Sequence, residues 1–139
     1  MSYLTAIVSP STVVWPALTY RDAAAAIRFL RCAFGFQEGL VVPGRSGDDV
    51  AHAELRWPGG GGVMLRSAGA AAPRGSEPSF AGAVYVVTDD PDALYERARA
   101  AGAAVVRGLR DDSDYDSRGF AVRDPEGVLW SFGTYPGTC

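Results

Sequence analysis

Apolar positions recur at helical spacing in two stretches of the chain. Between Asp22 and Phe34 they fall at Ala26, Ile27, Leu30, Ala33 and Phe34; between Asp90 and Ala101 they fall at Leu94, Ala98 and Ala101. Steps of three and four residues place each set on one helix face. The flanking residues agree with the periodicity. Asp22, and either Asp89 or Asp90, can accept from first-turn amides as N-caps, Pro91 suits a first turn, and Gly35 and Gly102 stand where left-handed backbone ends a helix. The other apolar runs are short and bounded by Gly, Pro or Asp, which is the pattern of strands. They occupy 15–20, 40–42, 50–57 and 63–66 in the first half, and 83–88, 103–107, 119–122 and 128–134 in the second.

Overlaying the halves exposes an internal repeat. Asp22 precedes Gly35 by thirteen residues and Asp89 precedes Gly102 by thirteen, each pair following a strand, so the order strand, helix, three strands occurs twice. The expected fold class is α+β: two tandem βαβββ modules, about residues 13–67 and 81–135, within one domain over 1–139. Residues 68–80, rich in Ala, Gly, Pro and Ser and lacking an apolar period, read as a linker. It joins modules, not independent domains, because about 60 residues with one helix make a marginal core. The apolar stretch at 4–8, broken by Ser9, Pro10 and Ser11, reads either as an extra strand or as a dimer arm.

Composition narrows the function classes. At 47% hydrophobic and 21% charged, the 139 residues have the balance of one globular domain. No apolar run approaches the ~20 residues of a membrane helix and the start lacks a basic segment, so a soluble cytoplasmic protein is expected, without a membrane partner. Thirteen basic and 16 acidic residues, net charge −3, are mixed along the chain without a basic stripe, so nucleic acid is not expected as a partner. All the basic residues are arginine, which removes Schiff-base chemistry and a P-loop lysine. Cys32 and Cys139 have neither CxxC spacing nor a disulfide framework.

Two local motifs add to the repeat: an aspartate-capped helix ending in Phe34-Gly35-Phe36, and the closing run Asp124-Pro125-Glu126-Gly127-Val128-Leu129-Trp130. With them, residues 15–135 resemble the vicinal oxygen chelate superfamily, which holds glyoxalases, bleomycin-resistance proteins and extradiol dioxygenases. The resemblance implies curved mixed sheets around a cavity, with helices on the convex side. In metal-dependent members four ligands, usually His, Gln and Glu, project into that cavity from the first and last strands of each module. Those positions fall at Trp15, Ala83, Ser131 and near Leu65, with Met64 in range, and none is a credible ligand. The chain holds a single histidine. No metal and no cofactor are expected. Inward-pointing Ser131 and Ala83 would share the concave face with Leu129, Gly133, Tyr85, Val87, Ala17 and Thr19, leaving Trp130 and Phe132 outward beneath a helix.

The third strand alternates His52, Glu54 and Arg56 with Ala51, Ala53, Leu55 and Trp57, and its polar side is assigned to the cavity because the convex side must pack on a helix. Two readings of His52 and Glu54 stand open: an acid or base with a carboxylate beside it, or a hydrogen-bonded histidine that orders the sheet. Glu54 can also pair with Arg56 or Arg118, where a depressed pKa would make it a poor base. The stretch 111–118 gathers four aspartates in what reads as a loop, either over a cavity mouth or simply solvated, and its spacing does not match a calcium loop. Tyr115 and Arg118 within it are candidates for holding a flat or anionic ligand. Trp15, Trp57, Tyr85 and Phe120 are candidates for an aromatic wall, with ordinary core packing as the competing role for each, and Ser131 completes the candidate ligand contacts.

Two classes of function follow. One is a metal-free small-molecule-binding protein of the glyoxalase/bleomycin-resistance type that sequesters an aromatic or drug-like ligand. The other is a lyase, isomerase or dioxygenase acting in the cavity, with His52 as acid/base or with a metal. The resemblance also implies a homodimer.

Overall fold

Two four-stranded sheets, each with one helix, form the part of the chain that a computed structural model describes, residues 14–69, 82–114 and 116–137. The elements are β1 (Ala17–Tyr20), α1 (Ala23–Phe29) continued by a π-turn (Leu30–Phe34), β2 (Gln37–Pro43), β3 (Val50–Arg56), β4 (Gly62–Ser67), β5 (Ala83–Val87), α2 (Pro91–Ala100), β6 (Ala104–Asp112), β7 (Ser117–Arg123) and β8 (Leu129–Gly133). The sheets run β1-β4-β3-β2 and β5-β8-β7-β6. In each, the first strand lies parallel to the last, and every other pair is antiparallel. The α+β arrangement of two βαβββ modules is therefore the observed one. The stretch 4–8 and most of the linker lie outside the described residues.

Strand alternation divides each sheet into a buried and an open face. Register aligns Leu18 with Leu65 and Leu65 with Ala53, and these side chains are buried in one cluster with Ala26 and Ile27 of α1 and Leu30 of the π-turn. In the second sheet Val86, Phe120, Val122, Trp130 and Phe132 are buried with Leu94 and Ala98 of α2. Rings from the first module reach into the second: Phe34 lies 4.7 Å from Phe132 and 5.4 Å from Trp130, centre to centre. The modules thus share one core.

The helix ends show why the repeat is imperfect. Asp22 Oδ1 accepts from Ala25 N at 3.0 Å and Asp90 Oδ1 from Ala93 N at 3.1 Å, so the second cap is Asp90, not Asp89. Both helices end at glycines in left-handed backbone, Gly35 at φ 89° and Gly102 at φ 88°. Counted from the true caps the spacings are thirteen and twelve residues, and the additional residue of the first helix sits in the π-turn, which widens one turn to hold it. The equal spacing read through Asp89 is corrected accordingly.

The acidic stretch is corrected as well. Asp111 and Asp112 belong to β6 and pair with Arg118 and Ser117, so β6 and β7 form a hairpin with a short connection. β6 is an edge strand with two register shifts and exposed Val105 and Val106, so no apolar period marked its length.

The closing Asp-Pro-Glu-Gly motif fastens the modules together. Asp124 is 5% exposed and accepts four hydrogen bonds. Its Oδ1 receives Glu126 N at 3.0 Å and Val128 N at 3.1 Å, which shapes the turn. Its Oδ2 receives Trp130 Nε1 at 3.0 Å and, from the other module, Tyr20 Oη at 2.6 Å. Burial, and then the Asp124 charge, hold the Tyr20 phenol far above its ordinary pKa. Glu126 extends the clamp, one carboxylate oxygen taking Arg21 N at 2.7 Å and the other Asp22 N at 2.8 Å, immediately before α1.

Candidate functional site

The first module has its own copy of that turn, with different side chains. Gly60 N donates to Trp57 O at 2.9 Å and Trp57 N to Gly61 O at 2.9 Å, repeating Gly127 N to Asp124 O and Asp124 N to Val128 O, both at 3.0 Å. Trp57 therefore stands where the second module has Asp124, and Gly59 where it has Glu126. Glycine at 59 sends no carboxylate across to the other module, and the segment before α2 presents Asp89 where the segment before α1 has Arg21. The position filled by the clamp on one side is a cavity on the other.

This cavity has a volume of about 740 Å³, within the range of small-molecule sites. Both modules build it: Phe36, Trp57 and the glycine turn from the first, and β5 with Thr88 and Asp89 from the second. Trp57 is fixed by its indole Nε1, which donates to Val87 O at 3.1 Å, and by packing at 5.1 Å from Phe36. Tyr85 is half exposed on the same wall, its hydroxyl donating to Tyr135 O at 2.7 Å. Trp15 lines an adjoining depression that shares Trp57 and the turn, and its ring lies so close to Gly62 that a side chain there would collide with it. Of the residues predicted from sequence, the structure brings together Trp15, Trp57 and Tyr85. Ser131 pairs with Tyr85 in the ladder on the open face of the second sheet, outside the cavity wall.

His52 and Glu54 lie elsewhere, on the open face of the first sheet. His52 Nε2 is 2.8 Å from Glu54 Oε2, so Glu54 partners the histidine and not Arg56 or Arg118. Neither residue lines the cavity. Beside them on β4 is Arg66, which sequence reading passed over. Its Nε is buried and has no hydrogen-bond partner among the described residues.

Two predicted ligand contacts belong to the helix side and are corrected. Phe120 is fully buried, 5.1 Å from Phe132 and 5.0 Å from Tyr95, because its register partner is Phe132. The parity that placed Phe132 outward applies equally to Phe120. Arg118 binds Asp92 through Nε at 2.8 Å and Nη2 at 3.1 Å, and Asp111 through Nη1 at 3.2 Å. The guanidinium holds the Asp92 carboxyl below its ordinary pKa. Arg118 thus ties α2 to the β6–β7 hairpin. Tyr115 lies outside the described residues.

The donor chemistry for a metal is poor. By the equivalence of the two turns, Ser131 corresponds to Met64, so the four family ligand positions carry Trp15, Met64, Ala83 and Ser131. Among the described residues no group of three or more His, Cys, Asp or Glu could hold an ion. Among the described residues no helix is long and apolar enough to cross a membrane.

Comparison with known proteins agrees with the fold. Residues 12–132 match the family model of the Glyoxalase/Bleomycin resistance protein/Dioxygenase superfamily. An uncharacterized protein of Mycobacterium bovis is 37% identical over 124 residues, covering 85% of this chain and 80% of that protein. The crystal structure of TioX from Micromonospora sp. ML1 is similar at 32% identity and TM-score 0.72, covering 88% of this chain and 98% of that one. A glyoxalase/bleomycin resistance protein/dioxygenase from Nocardioides, at 22% identity and TM-score 0.61 over 99% of this chain and 97% of that one, shares the fold.

Proposed function

The chain belongs to the Glyoxalase/Bleomycin resistance protein/Dioxygenase superfamily, and we propose that it is a metal-free small-molecule-binding protein that sequesters an aromatic ligand in the cavity between its modules. The carrying observation is the replacement of the Asp124/Glu126 clamp by Trp57 and Gly59. The same turn that closes one side with carboxylates leaves on the other an apolar space walled by Phe36, Trp57 and Tyr85. Flat ligands gain from such rings by stacking and by loss of apolar surface from water. The side chains at the family's ligand positions suit contact with a ligand better than coordination of an ion.

A homodimer belongs to this reading. Val105 and Val106 on the edge strand β6 leave 45% and 53% of their surface exposed, and a second copy would cover such an edge. A cytoplasmic location is part of the same proposal.

The His52–Glu54 contact at 2.8 Å favours a second reading, an enzyme in which His52 acts as acid or base. Calorimetric titration with the neutral probe 2-naphthylmethanol, together with elemental analysis after incubation with Zn²⁺, Ni²⁺, Mn²⁺ and Fe²⁺ and dialysis, tests the first. The expected result is binding that Trp57→Ala weakens at least tenfold, Trp57→Phe largely restores and His52→Gln leaves intact, with no stoichiometric metal. Retention of about one ion per chain, or binding indifferent to Trp57, overturns it.

A further inference from the structure

The two inter-module turns differ in where they place charge. On the fastened side the carboxylate comes from the turn: Glu126 takes the amides of Arg21 and Asp22 at 2.7 and 2.8 Å. On the cavity side the turn offers Gly59, and the carboxylate comes from the opposite wall, the segment before α2, as Asp89. Among the described residues that line the cavity, Asp89 alone carries a formal charge. It is exposed, and no described residue makes a hydrogen bond or ion pair with its carboxylate. The adjoining depression holds Arg56, whose guanidinium packs over Gly39 of β2, 3.3 Å from where a Cβ would stand there, and which lines no part of the cavity itself.

The helix end beside Asp89 does not favour an anion instead. Asp90 Oδ1 already accepts from Ala93 N at 3.1 Å, Asp90 N donates to Thr88 Oγ1 at 3.2 Å, and Asp92 adds a carboxylate to the first turn of α2. Thr88 N is taken by Gly133 O at 2.9 Å, and the Trp57 indole N–H by Val87 O at 3.1 Å. A negative ligand would meet the Asp89 carboxylate without these donors to offset it. A cation gains twice. Its charge meets Asp89, and the π systems of Trp57 and Tyr85 on the same walls attract it as well. An exposed ion pair and one cation–π contact each contribute a factor of a few, together about tenfold in affinity.

We infer that the ligand of this cavity is an aromatic organic cation, with its ring system against Trp57 and its ammonium or amidinium group beside Asp89. The inference rests on the proposed use of the cavity and adds the charge of what it takes. The test is calorimetric titration of the full chain with 2-naphthylmethylammonium, neutral 2-naphthylmethanol and 2-naphthoate, one naphthyl body in three charge states. The ammonium is expected to bind about tenfold more tightly than the alcohol, and naphthoate at least about tenfold less tightly than the ammonium. The alcohol should compete with the ammonium for one site. Asp89→Asn should lower the ammonium-to-alcohol ratio to about threefold, the part that the rings supply, while Asp89→Glu keeps the larger value. Raising NaCl from about 20 mM to about 500 mM should lower the ratio in the wild type and not in Asp89→Asn. An ammonium that binds no more tightly than the alcohol, a ratio unchanged in Asp89→Asn, or naphthoate as the tightest of the three overturns the inference while Trp57-dependent binding of the alcohol stands. Binding of none of the three, or binding of all three indifferent to Trp57→Ala, overturns the cavity itself, so the two failures are distinguishable.

Discussion

Asp124→Asn tests whether the closing turn is the fastening between modules that its hydrogen bonds describe. The carboxylate takes two backbone donors on Oδ1 and two side-chain donors on Oδ2 at distances of 2.6–3.1 Å, while only 5% exposed. An asparagine oxygen can keep the Glu126 and Val128 amides. Its NH₂ group would then face the Tyr20 hydroxyl and the Trp130 indole, two groups that at present donate. The tyrosine can rotate its hydroxyl and accept. The indole N–H has no such freedom, and leaving it buried and unpaired costs about 1–3 kcal/mol. The two amide bonds pass from a charged to a neutral acceptor and the tyrosine bond is replaced by a reversed neutral one, at roughly 1 kcal/mol each. Relief from burying a charge returns part of this, so the net loss is about 3 kcal/mol. With a urea slope of about 1.5 kcal/mol per M, the unfolding midpoint falls by about 2 M at unchanged slope. The cycle with Tyr20→Phe adds a second check: the tyrosine change should cost at least about 1 kcal/mol less in the Asn background than in the wild type, because its acceptor is already altered. A midpoint within 0.5 M of wild type, as an order-of-magnitude threshold, or additive effects of the two changes, would refute the four-donor clamp.

Tyr20 also makes stability depend on alkaline pH. Its folded pKa is raised above the ordinary 10.0, so the stabilisation is fully present below about pH 10 and is lost as pH rises, by about 1.4 kcal/mol per unit, while only the unfolded chain has released the phenol proton. Urea midpoints from pH 8 to 11 should therefore fall more steeply in wild type than in Tyr20→Phe; parallel profiles would contradict the linkage. Arg118→Gln, which removes an exposed ion-pair group with 38% of its side chain accessible, should leave the urea midpoint little changed and naphthylmethanol binding unchanged. Weakened binding in that variant would return Arg118 to the ligand site.

The elements with two agreeing signals were legible in the sequence. Both helices carried period and caps together, and β1, β3, β5 and β8 carried alternating or continuous apolar runs against turn residues. The strands that escaped full assignment are the edges β2 and β6. An edge strand buries little, so selection on its apolar pattern is weak, and β6 extends through Asp111 and Asp112 by pairing charge with Arg118 and hydroxyl with Ser117. The π-turn left no compositional mark, since one additional residue in a helix changes only the phase of its face. The site divided in the same manner. Trp15 and Trp57 flank β1 and β3 and Tyr85 lies in β5, three strands whose positions the apolar runs marked to within two residues. Phe120 was misplaced although the parity rule already fixed it, through pairing with Phe132, and Arg66 went unnoticed because the lack of a partner for its buried Nε among the described residues is visible only in three dimensions.

The repeated turn explains why one chain can be both fastened and open. Two copies of the same backbone, Trp57–Gly60 and Asp124–Gly127, share their hydrogen bonds almost to the tenth of an ångström. Their side chains settle opposite problems. Asp124 satisfies buried donors from Tyr20 and Trp130, and Glu126 takes the exposed amides before α1, so that end is fastened. Trp57 makes the corresponding cross-module contact with a donor, to Val87 O, and Gly59 withholds the second carboxylate. A turn that contributes an aromatic ring and no charge keeps the modules in register while leaving apolar volume beside them. The asymmetry therefore concentrates the inter-module clamp in the second module's turn and the cavity in the first, and on the proposed function substitutions at Asp124 and Trp57 should separate stability from binding.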